Sequence, residues 1–222
     1  GVNLIMIIRD VSLYTETGER IIHPVIAALD ALSLSDEDNS DKTNEEKNLD
    51  TVKQDCDIDL THKCFAGKNN AYTVLLKYLK RCKTGNKELF VKTLQTFCSL
   101  CNGQPDLLDE EGAEEFMAIL KNESYEQTII ELTVKLIRLN CVKHEMNRRM
   151  FVKQDLIKEL VRVLTTNQSS AGIVKEVASG LRALTQDDDL RVPFGSAHEN
   201  AKQIVMEGDA LRQLIEICKG MI

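Results

Sequence analysis

The chain has 222 residues and a formal net charge of −7, with 43% apolar residues, 5% aromatic residues and no tryptophan. A core of leucine, isoleucine and valine favours packed helices over a β-sandwich, and three prolines in the whole chain suit long helices. No run reaches the ~18 apolar residues needed to span a bilayer, and the charge balance argues against nucleic-acid binding. The seven cysteines and the lack of a visible signal peptide predict free thiols in a cytoplasmic or nuclear setting.

The N-terminal part divides into two predicted regions. Residues 1–33 contain two amphipathic helices, the second over His23–Leu32 with Pro24 in its first turn. Residues 34–60 are polar, and ten acids against three lysines between 36 and 59 give this segment most of the negative charge. Its apolar content predicts a flexible acidic insert, with a solvated acidic helix as the alternative.

From residue 61 to residue 222 a short apolar helix and a longer amphipathic helix recur. Aligned short helices place Leu75, Phe116, Leu160 and Leu214 in one column and Leu76, Met117, Val161 and Ile215 in the next, at steps of 41, 44 and 54 residues. This period is typical of an α-solenoid, a fold that exposes long binding surfaces. We expect about three repeats and a truncated fourth, inside a longer protein or beside a partner that covers the last helix.

The apolar spacing predicts nine helices in this part of the chain. They are Ala71–Cys82, Lys87–Cys101, Ala113–Lys121, Tyr125–Cys141, His144–Lys153, Leu156–Leu164, Gly172–Thr185, Asn200–Val205 and a last one from Asp209. Asn102 and Gly103 are suited to ending the second helix, and Ser169 or Ser170 to capping the seventh.

Two phrases resemble armadillo repeats. The segment VASGLRALT (Val177–Thr185) is similar to the signature of the third armadillo helix, and EEGAEEFMAIL (Glu110–Leu120) is similar to the opening of the second. The segment DDDLRVPFGSAHENAK (Asp187–Lys202) resembles the armadillo-repeat-containing protein 6 family more closely. The resemblance implies an all-α fold, a right-handed α-solenoid of armadillo repeats similar to a HEAT superhelix.

The same resemblance implies a non-enzymatic module that binds a protein or peptide along its third helices. Import receptors of this fold hold basic peptides with ladders of tryptophan and asparagine, but the matching positions here are Ser99, Arg138 and Ala183. The predicted contact residues are mainly basic or polar and suit an acidic partner: Lys92, Gln95, Ser99, Lys135, Arg138, Lys175 and Arg182. A purely structural segment and a transport-receptor-like peptide binder are the alternatives.

No motif indicates catalysis, a cofactor, nucleic acid or a membrane partner. Cys98 and Cys101 have the spacing of a metal or redox pair, but no second pair completes a zinc site, so we assign both to the core. A metal site at Cys56, His62 and Cys64 is the weaker alternative.

Two charged segments have a functional and a structural interpretation. The run Asp187–Asp189 is suited to a cation or a basic peptide, although bracing of Arg191 and of loop donors is the preferred reading. Val192 and Phe194 are then expected to pack inward. Arg148 and Arg149, with Lys143, His144 and Lys153, form a predicted basic patch that we interpret mainly as a solvated face.

Overall fold

The computed structural model describes residues 42–58, 60–68, 70–207 and 210–220. The predicted N-terminal helices of residues 1–33 lie outside the described residues. All regular structure in the described part is helical, without a β-strand. The chain divides into two compact units, residues 1–107 and residues 108–222.

Unit 1 contains four described α-helices. They are α1 (Lys42–Ile58), α2 (Leu60–Lys68), α3 (Ala71–Cys82) and α4 (Lys87–Cys101), followed by a 3-10 turn at Pro105–Leu107. Asn86 caps α4 by accepting hydrogen bonds from the Glu88 and Leu89 amides. Gly103 follows α4 with φ 82, a left-handed conformation that glycine adopts without a Cβ clash.

The described part of unit 2 contains seven helices. They are α5 (Glu110–Lys121), α6 (Gln127–Cys141), α7 (Glu145–Lys153), α8 (Leu156–Thr166), α9 (Ala171–Leu184), α10 (Ala197–Met206) and α11 (Ala210–Gly220). The Asp109 carboxylate caps α5, and the His144 Nδ1 caps α7 by accepting from the Asn147 amide. Ser170 occupies the N-cap of α9 as predicted, but its side chain makes no capping hydrogen bond.

The short helices α3, α5 and α8 bury the face that their apolar spacing defines. The two repeat columns are buried in α3, α5 and α8, whereas Ile215 of α11 is 54% exposed. In unit 1 α4 packs along α1, and in unit 2 α6 packs along α9 in that unit's most extensive helix pair. These pairs are successive third helices of an α-solenoid, with α2–α3–α4 and α7–α8–α9 as complete three-helix repeats.

The structure differs from the predicted flexible insert over residues 42–58. This segment is α1, and Leu49, Val52 and Cys56 are buried against the rest of unit 1. Thr96 of α4 donates to the Leu49 carbonyl at 3.4 Å. The three apolar residues recur at helical spacing, so a narrow stripe is buried while the acids stay at the surface.

Candidate binding surface

Four cations lie on the third helices of unit 2. Lys135 and Arg138 belong to α6, and Lys175 and Arg182 belong to α9. Their spacings of three and seven residues keep each pair on one helix face, while Val134, Ile137 and Val177 are buried on the other. We call these four residues the basic surface.

Only one of these cations is paired with an acid. Arg138 Nε donates to Glu176 Oε2 at 2.7 Å and joins α6 to α9. Among the described residues, no carboxylate forms an ion pair with Lys135, Lys175 or Arg182, and the last two are exposed. The carboxylate of Glu131 lies against Gly172, where a Cβ would come within 2.4 Å of its Oε2. Four cations against two acids leave the surface positive.

On the corresponding third-helix surface of unit 1, acids of α1 neutralise the positive charge of Lys92. Lys92 of α4 donates to Asp50 Oδ2 of α1 at 2.8 Å and lies 3.8 Å from Glu46 Oε2. The Asp50 hydrogen bond, together with both acids, raises the pKa of Lys92. Of the other predicted contacts, Gln95 is half-buried, and Ser99 is buried and hydrogen-bonded to Asp57 of α1. We call Lys92, Gln95, Ser99 and their α1 partners the paired surface.

The positions that match the import-receptor asparagine are not arranged as a ladder of exposed amides. Ser99 and Ala183 are buried, and Arg138 is engaged by Glu176. None of these three residues is an asparagine, so these positions do not form the exposed amide ladder of the import receptors.

A second feature of unit 2 is the connection between α9 and α10, residues 185–196, which we call the 185–196 loop. Arg148 of α7 is only 1% exposed and lies beneath this loop. Its guanidinium donates to the Gln186 carbonyl, to Asp188 Oδ1 and, at 2.8 Å, to the Cys141 carbonyl. One buried cation therefore ties the loop to the end of α6.

A second set of hydrogen bonds fixes the rest of the loop. Asp189 Oδ2 accepts from the Glu145 amide at 2.8 Å, and Asp189 Oδ1 accepts from Arg191 Nε at 2.8 Å. Glu145 Oε1 accepts from the Ser196 amide at 2.7 Å and from Arg149 Nε at 2.8 Å. These contacts fasten both ends of the loop to the first turn of α7.

Two carboxylates of this network, Asp189 and Glu145, are held in their charged forms. The Arg191 side chain and the Glu145 amide hold the pKa of Asp189 well below its usual range. Burial works to raise the pKa of Glu145, but hydrogen bonds from Ser196 and Arg149 outweigh it and lower that pKa. The network is therefore intact at neutral pH.

The structure decides between the functional and the structural interpretations of the Asp187–Asp189 run and of the basic patch around Arg148 and Arg149. Asp189 braces Arg191 and accepts from a backbone amide, as the structural interpretation of the triplet predicted. The pairing of Asp188 with Arg148 was not predicted. The inward packing of Phe194 is wrong, since its side chain is 83% exposed, while Val192 is half-buried. The solvated-face reading is wrong for Arg148, because loop acids supply the partners that let a guanidinium be buried.

The sequence contained one usable signal of this network. The connection from α6 to α7 is three residues long and that from α4 to α5 is residues 102–109, with a 3-10 turn, whereas the connection after α9 is the longest of the three and contains three acids. An acidic loop of that length beside an Arg-Arg helix indicates pairing. The sequence does not say which arginine points inward.

The cysteines lie where the core interpretation places them. Cys98 and Cys101 are buried on α4, and burial raises the pKa of the Cys141 thiol to about 12. No group of three or more His, Cys, Asp or Glu side chains within the described ranges is arranged to hold a metal ion. The His62 side chain lies outside the described residues.

None of the helices that the structure describes combines the length and the apolar character required to cross a membrane.

Comparison with known proteins identifies the fold. A designed armadillo repeat protein solved in complex with the peptide (KR)4 superposes with a TM-score of 0.61, covering 88% of this chain and 87% of that one at 12% identity. Armadillo repeat-containing protein 6 of Pongo abelii is 35% identical over 167 residues, which are 75% of this chain and 33% of that protein. The chain is an armadillo-repeat protein. This confirms the fold and the family that the sequence predicted.

This armadillo-repeat protein is also similar to the armadillo repeat-containing protein 6 homolog of Drosophila melanogaster. The two are 33% identical over 223 residues, which are 98% of this chain and 46% of the fly protein. The chain thus spans from a third to about half the length of these relatives. No protein-family model matches it. Armadillo repeats commonly mediate protein and peptide binding and are generally non-enzymatic.

Proposed function

We propose that the chain is a non-enzymatic binding module whose basic surface takes an acidic peptide or an acidic segment of a protein. The observation that carries this proposal is the set of unpaired cations Lys135, Lys175 and Arg182 beside the Arg138–Glu176 pair. Unpaired surface cations attract and orient an acidic ligand. The paired surface of unit 1 offers no such cluster, because Asp50 and Glu46 already engage Lys92.

The comparison with the designed protein sharpens the proposed charge of the ligand. That protein was solved with a peptide of alternating lysine and arginine. The basic surface has the wrong sign for such a ligand. We therefore expect the opposite preference here, for glutamate and aspartate.

The experiment is a binding titration with a fluorescein-labelled oligoglutamate peptide and with labelled (KR)4. The wild-type chain should bind oligoglutamate and not (KR)4. Charge reversal in K175E/R182E should weaken oligoglutamate binding about tenfold, since two exposed attractive pairs become repulsive. Arg138→Glu with Arg182→Glu should weaken it further, because Arg138 is the best-fixed cation on this surface.

The matched control is K121E/K158E, which makes the same change of charge at exposed lysines of α5 and α8. It should leave oligoglutamate binding within about twofold. Equal losses in the control and in K175E/R182E would show a net-charge effect and contradict a local site. Tighter binding of (KR)4 than of oligoglutamate would overturn the proposed partner.

A structural role is a second candidate, favoured by the exposed Leu211 and Ile215 of α11. Large apolar side chains on one helix face are typical of a surface that packs against another. If this role dominates, sedimentation should show concentration-dependent self-association that L211S/I215S abolishes. A monomer at all concentrations would count against it.

A further inference from the structure

The 185–196 loop is longer than the fold requires. After α6, residues 142–144 suffice to reach α7, and after α4 the connection to α5 is residues 102–109, which include a 3-10 turn. After α9 the chain takes residues 185–196 for the same step. Long ordered connections in compact folds are commonly binding segments.

The loop has an inverted distribution of polar and apolar side chains. Asp189 is buried against α7 and Asp188 is half-buried against Arg148, although Asp187 is exposed. By contrast, Leu190 is 101% exposed and Phe194 is 83% exposed. A loop that only connects two helices gains stability by burying its large apolar residues. Two such residues held in water indicate a contact surface.

Leu190 is flanked by two residues whose side chains are hydrogen-bonded, and Phe194 is held through its own carbonyl. Leu190 lies between Asp189, bonded to the Glu145 amide, and Arg191, whose Nη2 donates to the Lys143 carbonyl at 3.3 Å. The Phe194 carbonyl accepts from Arg149 Nη2 at 3.1 Å. A ligand that packs on these side chains does not have to order the loop, which lowers the entropy cost of binding.

The loop adjoins the end of the basic surface. It begins at Thr185, three residues after Arg182, and Arg191 bonds to the turn that ends α6. Val142, the C-cap of α6, is 39% exposed and follows Arg138 by four residues, which places it on the same helix face. The cations of α6 are therefore followed by an apolar edge formed by Val142 and the loop.

We propose that Leu190 and Phe194 of the 185–196 loop form an apolar rim of the basic surface, and that its ligand is an acidic segment carrying large apolar side chains. This inference rests on the proposed function and specifies its ligand. The carboxylates of the segment face Arg138 and Arg182, and its apolar side chains pack on Leu190 and Phe194. Charge gives the attraction, and the rim gives selectivity among acidic ligands.

The test compares two labelled peptides of equal length and charge. One alternates aspartate with leucine, and the other alternates aspartate with serine. The wild-type chain should bind the leucine peptide at least about tenfold more tightly, since burial of several leucine side chains against the rim is gained. Equal affinities would overturn the rim while leaving the basic surface intact.

The variant is L190S/F194S. Both side chains are exposed, so the network of Arg148, Glu145 and Asp189 should remain and the chain should fold. Binding of the leucine peptide should fall about tenfold, to the level of the serine peptide, whose affinity should not change. The control V205S/M206S removes two exposed apolar side chains of α10 and should change neither affinity.

The outcomes separate this inference from the proposed function. If K175E/R182E weakens both peptides and L190S/F194S weakens neither, the basic surface stands and the rim is contradicted. If L190S/F194S weakens the leucine peptide while K175E/R182E has no effect, the rim binds apolar ligands without the basic surface, and the acidic ligand is contradicted.

Discussion

The third-helix surfaces of the two units are formed by similar helices, but the cation of the first is neutralised and most cations of the second are not. In unit 1, α1 places Glu46 and Asp50 beside Lys92, so the charge is neutralised within the chain. In unit 2, α9 contributes two exposed cations, Lys175 and Arg182, and only Glu176 offers an acid to α6. The residues contributed by the neighbouring third helix therefore decide whether a cation is available to a ligand.

The units also differ in how far the ion pairs described above are buried. Unit 2 contains a guanidinium that is 1% exposed and held by loop acids and carbonyls. The corresponding ion pairs of unit 1 lie at the surface, where solvent and salt weaken them. We therefore expect substitution of the buried guanidinium in unit 2 to cost more stability than substitution in the surface ion pairs of unit 1.

The largest expected change in stability comes from replacing this buried arginine. Arg148→Met should lower the free energy of unfolding of unit 2 by about 3–5 kcal/mol, because Asp188 and two carbonyls lose their donor. The matched change in unit 1, Lys92→Met, should cost less than about 1 kcal/mol. Urea denaturation of both variants measures the contrast, and similar losses would contradict it.

The next effect concerns the packing of α1, on which the paired surface depends. Leu49 is fully buried, so Leu49→Ala should destabilise unit 1 by about 2–4 kcal/mol. Gln54→Ala, at an exposed position of the same helix, is the control and should change stability by less than about 0.5 kcal/mol. A stability unchanged by Leu49→Ala would show that residues 42–58 do not form a packed helix.

A smaller effect is expected from converting one surface into the other. E46K/D50K removes both partners of Lys92 and makes the third-helix surface of unit 1 positive. The chain should then bind a second equivalent of labelled oligoglutamate, with an affinity gain of a few-fold over the unmodified unit. An unchanged stoichiometry in calorimetry would show that charge alone does not make this surface a site.

The smallest effect is on the pH dependence of stability. The pKa values of Asp189 and Glu145 are lowered in the folded chain, so their contribution is present above their ordinary values of 3.8 and 4.5 and is lost as the pH falls through the lowered ones. The raised pKa of Lys92 gives the opposite sign, since its contribution is present below 10.5 and is lost at higher pH. Unit 1 has one carboxylate of the same kind, because burial works to raise the pKa of Asp57 but hydrogen bonds from Lys53 and Ser99 outweigh it and lower that pKa. Unit 2 has two such carboxylates and should lose more stability in acid than unit 1, and Asp189→Asn should reduce that loss. Denaturation of the wild-type chain and the variant at neutral and acid pH measures the difference.

The sequence predicted the helices well because apolar spacing is a local property. The predicted Lys87–Cys101 and the observed α4 coincide, and the ends of α6 and α9 differ from prediction by two residues or fewer. Over α1 the sequence analysis preferred a flexible insert and kept an acidic helix as the alternative, because the composition of this segment is dominated by acids. The stripe of Leu49, Val52 and Cys56 is narrow and becomes decisive only when α4 covers it.

The candidate site was less predictable than the fold. The sequence located cations on third helices, but it did not distinguish Lys92, which α1 neutralises, from Arg182, which is exposed. It also placed Phe194 in the core and Arg148 at the surface, the reverse of what is found. These errors have one cause, since burial depends on which partners arrive from distant parts of the chain.

The sequence by itself determined the solenoid, most helix bounds from Ala71 onward and the family, because each follows from short-range periodicity and from short contiguous phrases of the chain. Tertiary structure alone decided the pairing of Lys92 with Asp50, the burial of Arg148 and the outward position of Leu190 and Phe194. Each of these depends on contacts between residues about 40 or more positions apart. The free energy of a charge is set by its neighbours in space, and only the packed chain brings them together.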